Sequence, residues 1–494
     1  MKSRNLLHLL FIIPMMLSLV SCQPEKNKLE KAMEAPRLVV AHYMEYQPMY
    51  GNYPDISVTD VKKEIIDAHD QGVDAFQINI VRWKRESAKN ITAKLFQAAS
   101  EVSFPFFLFL STDNHVNHPG WTFEEVLDYM QLYGDHPNQL KVDGRPLLTD
   151  WSGDHLGTDF WSETKDRLKS EYDIDIFYVP FHGLARGQSA EEIDAYLDEW
   201  ESIIDGYWSW GGSTPVHRTD SELYTPAFNA ARRSWDPGAE LALDENDPNY
   251  GYMSEENTSV PESSELLSDI LESRDIPFMS PVTPSFWAGC WNSCKYTEHH
   301  GGAGIESLWT SIIENQDARW INLVTWNDMG EDTHWSPNPY SHLCPNKPTL
   351  APMYSHAGFA ELNKYYIQWW KSYEKPEIEK DKLFFFHRNQ FGDAIPLKES
   401  CPMECSLKRP DWAYVTTMLP DSAMLIIHSG SKITEYDVPA GIHHWRGPLG
   451  LGDQRFLLVR NGETVIDVTS QMPVVEIPEY KSWSFYSGFA EAMY

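Results

Sequence analysis

Eight short runs of almost unbroken apolar, β-branched or aromatic residues recur along the first two thirds of the chain, separated by stretches with a helical apolar period. The runs are Leu38–Tyr43, Ala75–Ile80, Phe104–Leu110, Pro146–Trp151, Ile176–Phe181, Gly206–Trp210, Phe278–Phe286 and Ile321–Asp328. A strand that is apolar on both sides must be covered on both faces, which is the situation of a parallel sheet wrapped by helices. Between the runs, Val58–Gln71 opens after Ser57 and stops at Gly72, and Ser189–Ile203 carries Ile193, Tyr196, Leu197 and Trp200 on one face. Ser263–Ser273 and Ile305–Asn315 follow the same pattern. Eight strands with intervening helices predict an α/β fold, an eight-stranded (β/α)8 TIM barrel over residues 36–375. The rival, a doubly wound open sheet, wants a glycine-rich phosphate loop after an early strand. Here the first run leads into Met44-Glu45-Tyr46-Gln47-Pro48 instead.

Two segments depart from the alternation. Residues 235–261, from Trp235-Asp236-Pro237-Gly238 to Val260-Pro261, are acidic and rich in turn formers. They read as a loop inserted between the sixth and seventh strands. Past Tyr373-Glu374-Lys375-Pro376 the apolar period changes to two, in Trp412–Met418, Ala423–Ser429, Ile433–Val438, Gln454–Arg460 and Thr464–Val468. Turn signals at Gly430-Ser431 and Asn461-Gly462 separate some of these. Residues 376–494 are therefore expected to form a C-terminal antiparallel β-sandwich that packs on the barrel.

The N-terminus reads as an address. Lys2 and Arg4 precede an apolar run, Leu6 to Val20, that is short for a membrane span and ends in Leu19-Val20-Ser21-Cys22. This resembles a bacterial lipobox, which implies a signal peptide over 1–22, lipidation at Cys22 and a polar tether over 23–35. Gln23 after the cysteine implies the outer membrane, so the protein is expected in the cell envelope, periplasmic or surface-exposed, touching the membrane only through that anchor. Of the six cysteines, Cys290 with Cys294 and Cys401 with Cys405 are spaced for local disulfides, and Cys344 is left over. No metal and no cofactor is expected.

The formal net charge of -32 repels nucleic acid and anionic surfaces, so no nucleic-acid partner is expected. The 19 Trp suit a packed core, and a surplus of them suits the apolar face of a sugar ring. Active sites of such barrels lie at the C-terminal ends of the strands. The residues that end the runs are His42 and Tyr43, Asn79, Asp113, Asp150, His182, Trp208 and Trp210, Trp287, and then Trp326, Asn327, Asp328 and Glu331. Acids, amides and Trp make a sugar site. Glycosidic hydrolysis needs one carboxylic acid to protonate the leaving oxygen and a second carboxylate to activate water or attack. Asp328 and Glu331 leave one strand three residues apart, with Gly330 to turn the chain. A separation of about 6.5–9.5 Å would admit water and invert configuration.

Val324-Thr325-Trp326-Asn327-Asp328-Met329-Gly330-Glu331 resembles the Thr-Trp-Asn-Asp-x-Gly-Glu signature of glycoside hydrolase family 71, the α-1,3-glucanases or mutanases. Val39–Met44, Gln71–Asn79, Leu110–Asp113, Ser280–Pro284 and Tyr436–Gly441 resemble further segments of that family in order, over about residues 37–490. The resemblance implies an endo-acting, inverting hydrolase of α-1,3-glucan or a related α-linked polysaccharide, without a metal; the protein is expected to be a monomer. Its implicated acids fall on Asp328, Glu331 and Asp74, with Glu331 taken as acid and Asp328 as base, an assignment open to exchange. His42, Tyr43, Asn79, Asp113, Asp150, His182, Trp208, Trp210, Trp287, Trp326 and Asn327 are the expected substrate contacts. Glu45-Tyr46-Gln47 replaces the family's Val-Gly-Asn, Asp332 stands where Ser is usual, and Gly211-Gly212-Ser213-Thr214 replaces its Asp-Ala-Trp stretch. Two rivals are a non-catalytic surface glycan-binding lipoprotein, which could dispense with paired acids, and a hydrolase for another α-glycan such as mannan. A metal-dependent amidohydrolase barrel would want His-x-His on the first strand, where only His42 stands.

Overall fold

The computed structural model describes residues 37–492 apart from 51–52, 115–119, 185–188, 211–259, 288–295, 298–299, 338–353, 399–410 and 481. The lipobox, the tether, all six cysteines, Gly211–Thr214 and the insertion up to residue 259 lie outside the described residues.

Strands and helices alternate eight times. The order is β1 (Leu38–Met44), α1 (Val58–Asp70), β2 (Ala75–Ile80), α2 (Glu86–Glu101), β3 (Phe107–Asp113), α3 (Phe123–Tyr133), β4 (Arg145–Trp151), α4 (Gly157–Tyr172), β5 (Phe177–Val179), α5 (Ala190–Trp200), β6 (Tyr207–Trp208), α6 (Val260–Ser273), β7 (Phe278–Val282), α7 (Gly302–Asn315), β8 (Ala318–Leu323) and α8 (Ala357–Ser372). Three helices start on capping boxes, Ser57 with Asp60, Thr122 with Glu125 and Ser189 with Glu192, each pair satisfying two orphan backbone donors. Val260-Pro261, expected at the end of a loop, instead opens α6, in keeping with the ease of proline in a first helical turn.

The eight strands form one curled sheet, parallel throughout, in the order β5-β4-β3-β2-β1-β8-β7-β6. β5 and β6 share no ladder, but Asp205 N–H donates to the Tyr178 carbonyl at 2.8 Å and Trp208 N–H to the Pro180 carbonyl at 3.0 Å. The side-chain alternation of the strands sorts the core into two layers. Val40, Ala75, Phe109, Leu147, Phe177, Trp208 and Trp320 pack together on the concave face. Val39, Ala41, Tyr43, Phe76, Ile78, Leu108 and Leu110 pack outward under the helices. The concave face also carries a polar belt, in which Gln77 donates to Thr149 Oγ1 at 2.8 Å and accepts from Asn322 Nδ2 at 3.0 Å.

The C-terminal region adds two four-stranded antiparallel sheets. One has the order β13 (Gly441–Pro448), β10 (Trp412–Leu419), β9 (Lys382–His387), β16 (Tyr486–Glu491), and the other β12 (Lys432–Val438), β11 (Ala423–Ser429), β14 (Gln454–Arg460), β15 (Glu463–Thr469). Leu383, Phe385 and Val415 of the first meet Leu425, Ile427, Phe456 and Leu458 of the second in one apolar cluster. The other face of the first sheet, through Phe384, Phe386, Tyr414 and Met418, joins the outer core of the parallel sheet, and Arg37–Tyr494 forms one compact unit. α8 lies so close to β16 that a Cβ on Gly358 would sit 2.7 Å from the Gly488 carbonyl. No described helix is long and apolar enough to cross a membrane.

Candidate active site

The eighth strand stops at Leu323, not at Asp328 as its sequence suggests. Val324 N–H still bonds the Val282 carbonyl at 2.9 Å, and then the chain folds over the rim. Trp326 N–H donates to the His42 carbonyl at 2.7 Å, while Thr325 and Trp335 pair back to back through Thr325 N–H to the Thr333 carbonyl and Trp335 N–H to the Thr325 carbonyl, both 2.8 Å. Gly330 lies within the turn from Met329 to Asp332, and the left-handed residue in it is Asp332, φ 56°.

Asp328 sits at the head of this turn, 4% exposed. Its own N–H donates to Thr325 Oγ1 at 2.7 Å. Its Oδ1 accepts from Gln47 Nε2 and from the Glu331 N–H, both at 3.2 Å. Gln47 in turn accepts the Met329 N–H on Oε1 at 3.3 Å. Burial pushes the Asp328 carboxyl up to about 6, against the pull of the Gln47, Glu331 and Gly330 donors, which favour the charged form. Glu331 is half-buried, and its carbonyl accepts the Trp287 N–H at 2.8 Å. The two carboxylic residues are thus held from opposite flanks, Asp328 from the segment after β1 and Glu331 from the segment after β7.

Tyr46 joins them. Burial comes first, and then the negative charges of Asp328, Asp113 and Glu331, in raising its hydroxyl well above the ordinary value. One phenol therefore feels carboxyl groups from the ends of β3 and β8 together. The segment that carries it is pinned on three sides. Asn327 accepts the Met44 N–H at 2.7 Å and donates to the carbonyls of Met44 and Gln47 at 3.1 and 2.7 Å. Glu64 accepts the Met49 N–H at 2.7 Å, and Glu45 pairs with Arg85. Burial raises the carboxyls of Glu64 to about 8 and Glu45 to about 7.

Of the expected substrate contacts, His42, Asn79, Asp113, Trp208 and Trp210 belong to strand ends on the concave side. The His42 ring stacks on Trp208 at 5.5 Å and meets Trp210 edge-on at 4.8 Å, and burial lowers it to about 3, so it is neutral. Asn79 Oδ1 is buried without a hydrogen-bond partner. Trp287 is 5% exposed beside the Glu331 backbone.

Five expected contacts face elsewhere. Tyr43 points outward, beside Glu64 and 4.9 Å from Phe76, because it is out of phase with His42 along β1. Trp326 is fully buried in the same outer layer, 5.6 Å from Phe76. Asn327 is used up as the clamp described above. Asp150 takes the Phe181 N–H at 3.1 Å and the Tyr178 hydroxyl. His182 bonds Tyr196 at 2.8 Å and packs on Trp200 at 4.3 Å. Asp74 is not brought to the group at all. It precedes β2 at the N-terminal edge of the sheet, accepts the Val39 N–H at 2.8 Å and pairs with Lys371 at 2.6 Å. Conversely, Tyr46 and Gln47 were visible in the sequence only as departures from a family pattern, although their place just past β1 puts them at the active rim.

The profile of glycosyl hydrolase family 71 matches residues 35–493. A mutanase of Penicillium rubens is 24% identical over 464 residues, spanning 92% of this chain and 88% of that protein. Among solved structures, a family 99 endo-α-mannosidase from Bacteroides thetaiotaomicron aligns with a TM-score of 0.46 and 15% identity over 68% of this chain and 97% of its own. A family 2 glycosyl hydrolase from Bacteroides cellulosilyticus aligns at 0.40, with 8% identity over 88% of this chain and 46% of its own. The match along almost the whole chain, with the acidic turn at the rim, makes this protein a glycoside hydrolase that belongs to glycosyl hydrolase family 71.

Proposed function

We propose that the chain is an endo-acting, inverting hydrolase of α-1,3-glucan or a closely related α-linked polysaccharide. The observation that carries the reading is the buried Asp328 carboxyl, raised to about 6 and aimed by three donors, on one short turn with Glu331. Donors without an acceptor favour the carboxylate, so at neutral pH Asp328 is a charged base of high proton affinity. It would take a proton from water as that water attacks the anomeric carbon. Glu331, more open to solvent, would give its proton to the departing glycosidic oxygen. Tyr46 and Asp113 line the same space, and Trp210 and Trp287 offer ring surface to sugars. The Penicillium rubens mutanase supports α-1,3-glucan as the substrate. The eight parallel strands, with β5 and β6 joined by two backbone hydrogen bonds, support a closed barrel and a rigid rim. We further propose that Cys22 anchors the enzyme to the cell envelope, that 376–494 forms a sandwich domain, and that the protein acts as a monomer.

The test is hydrolysis of insoluble α-1,3-glucan, α-mannan and mixed α-glucans, with proton NMR of the first product. Oligosaccharides from α-1,3-glucan, released as the β anomer, are expected. Release of the α anomer would overturn the water-activating geometry, and activity on mannan alone would overturn the substrate.

A further inference from the structure

Immediately behind the acidic turn lies a second cluster that the hydrolytic reading leaves unused. Asp332, His334 and His356 are all buried, and one ligand atom from each lies within 4.8 Å of the others. The two imidazoles are stacked, centroids 3.9 Å apart and 7° from parallel. Backbone carbonyls settle their tautomers. His356 Nδ1 lies 2.7 Å from the His334 carbonyl, and His334 Nε2 lies 3.1 Å from the Tyr354 carbonyl. A carbonyl only accepts, so these two nitrogens carry the protons. The lone pairs are then on His356 Nε2 and His334 Nδ1, and both atoms are buried without a hydrogen-bond partner.

That arrangement is costly unless a cation sits among the three groups. The bare His356 Nε2 faces Asp332 Oδ1 at 3.5 Å, a lone pair against a carboxylate. A buried acceptor left unsatisfied costs about 1–3 kcal/mol. Metal-binding histidines usually donate their second ring N–H to a carbonyl or carboxylate, which is what both rings do here. The carboxylate is oriented too, by Ser484 Oγ at 2.6 Å on Oδ1 and Ser285 Oγ at 3.1 Å on Oδ2.

We propose that Asp332, His334 and His356 bind one divalent transition-metal ion, Zn2+ by the two-nitrogen, one-carboxylate donor set. Ligand atoms about 2.0–2.2 Å from such an ion sit roughly 3–4 Å apart and each imidazole lone pair lies in its ring plane, so binding draws the triad together and turns the two rings out of their parallel stack. With all three ligands buried, the ion would serve to brace the fold, its fourth position left for water. It would brace the turn that carries Glu331 against the start of α8 and, through Ser484, against the segment leading into β16. The ion plays no part in the proposed hydrolysis.

The full chain, prepared without a polyhistidine tag, is expected to carry close to one equivalent of transition metal by mass spectrometry. Chelation should lower Tm by several degrees, and added Zn2+ should restore it. In calorimetric titration of the chelated protein with Zn2+, Asp332→Asn and His334→Gln should each weaken binding by 10-fold or more, as expected for loss of a ligand. If the wild-type chain holds under about a tenth of an equivalent and takes up no Zn2+ at about 100 μM, the proposal is overturned. The wild-type titration decides this even if the variants do not fold.

Discussion

The Glu331 backbone N–H donates to the Asp328 carboxylate at 3.2 Å, so the two proposed catalytic acids are parts of one turn and move together. The turn is tied at both sides, to Gln47 after β1 and to Trp287 after β7.

Asp328→Asn should abolish hydrolysis and stabilise the fold at neutral pH. Burial raises the folded carboxyl from 3.8 to about 6, so the protonated form suits the folded state. That contribution is complete below about pH 4 and is lost as pH rises through about 6. Asn removes the cost of the buried charge, worth up to about 2–3 kcal/mol at pH 7.5 and close to nothing at pH 4. Denaturant unfolding of both proteins at the two pH values checks it. A loss of stability at pH 7.5 would contradict the buried-charge account.

The rate should fall as pH drops through about 6, because the proposed base is then protonated. Gln47→Ala removes a donor that favours the carboxylate, so this limb should move to higher pH and kcat should drop about 10–100-fold. Gln47→Glu adds a negative charge and should move it further. pH profiles of kcat/KM measure both shifts. If Asp328 were the acid, the activity would instead be lost on the alkaline side.

Asp74→Asn should leave kcat within about twofold of the wild type, since Asp74 lies at the opposite edge of the sheet. Its bonds to Val39 and Lys371 hold β2 to β1 and α8, so a loss of about 1 kcal/mol in stability is expected. A hundredfold drop in kcat with the fold intact would return Asp74 to the catalytic set.

Asn327→Ala breaks three buried hydrogen bonds to Met44 and Gln47. A cost of about 2–4 kcal/mol is expected, with kcat falling more than KM rises, because Gln47 and Tyr46 lose their hold on the acids. Unfolding curves and steady-state kinetics on soluble oligosaccharide separate the two effects.

Much of this was legible in the chain. The apolar runs anticipated the eight parallel strands, most closely at β2, which matches residue for residue, and the serine before α1 marked its cap. β9, β13 and β16 went unread, since Leu383-Phe384-Phe385-Phe386 has no alternation and Ile442-His443-His444-Trp445-Arg446 of β13 has no apolar period of two. The acidic turn was visible as a motif. Which of its residues face the cleft was not.

The sequence alone determined periodicity, caps and the identity of the acidic turn, because those depend on neighbours a few residues apart. Only tertiary structure decided that β8 ends at Leu323, that Trp326 packs into the outer layer and Asn327 clamps the segment after β1 while Asp328 stays at the rim, and that Gln47, 281 residues away, steadies it. A side chain's direction past the end of a strand is set by whatever packs against it, and a carboxyl's charge by how deeply that packing buries it.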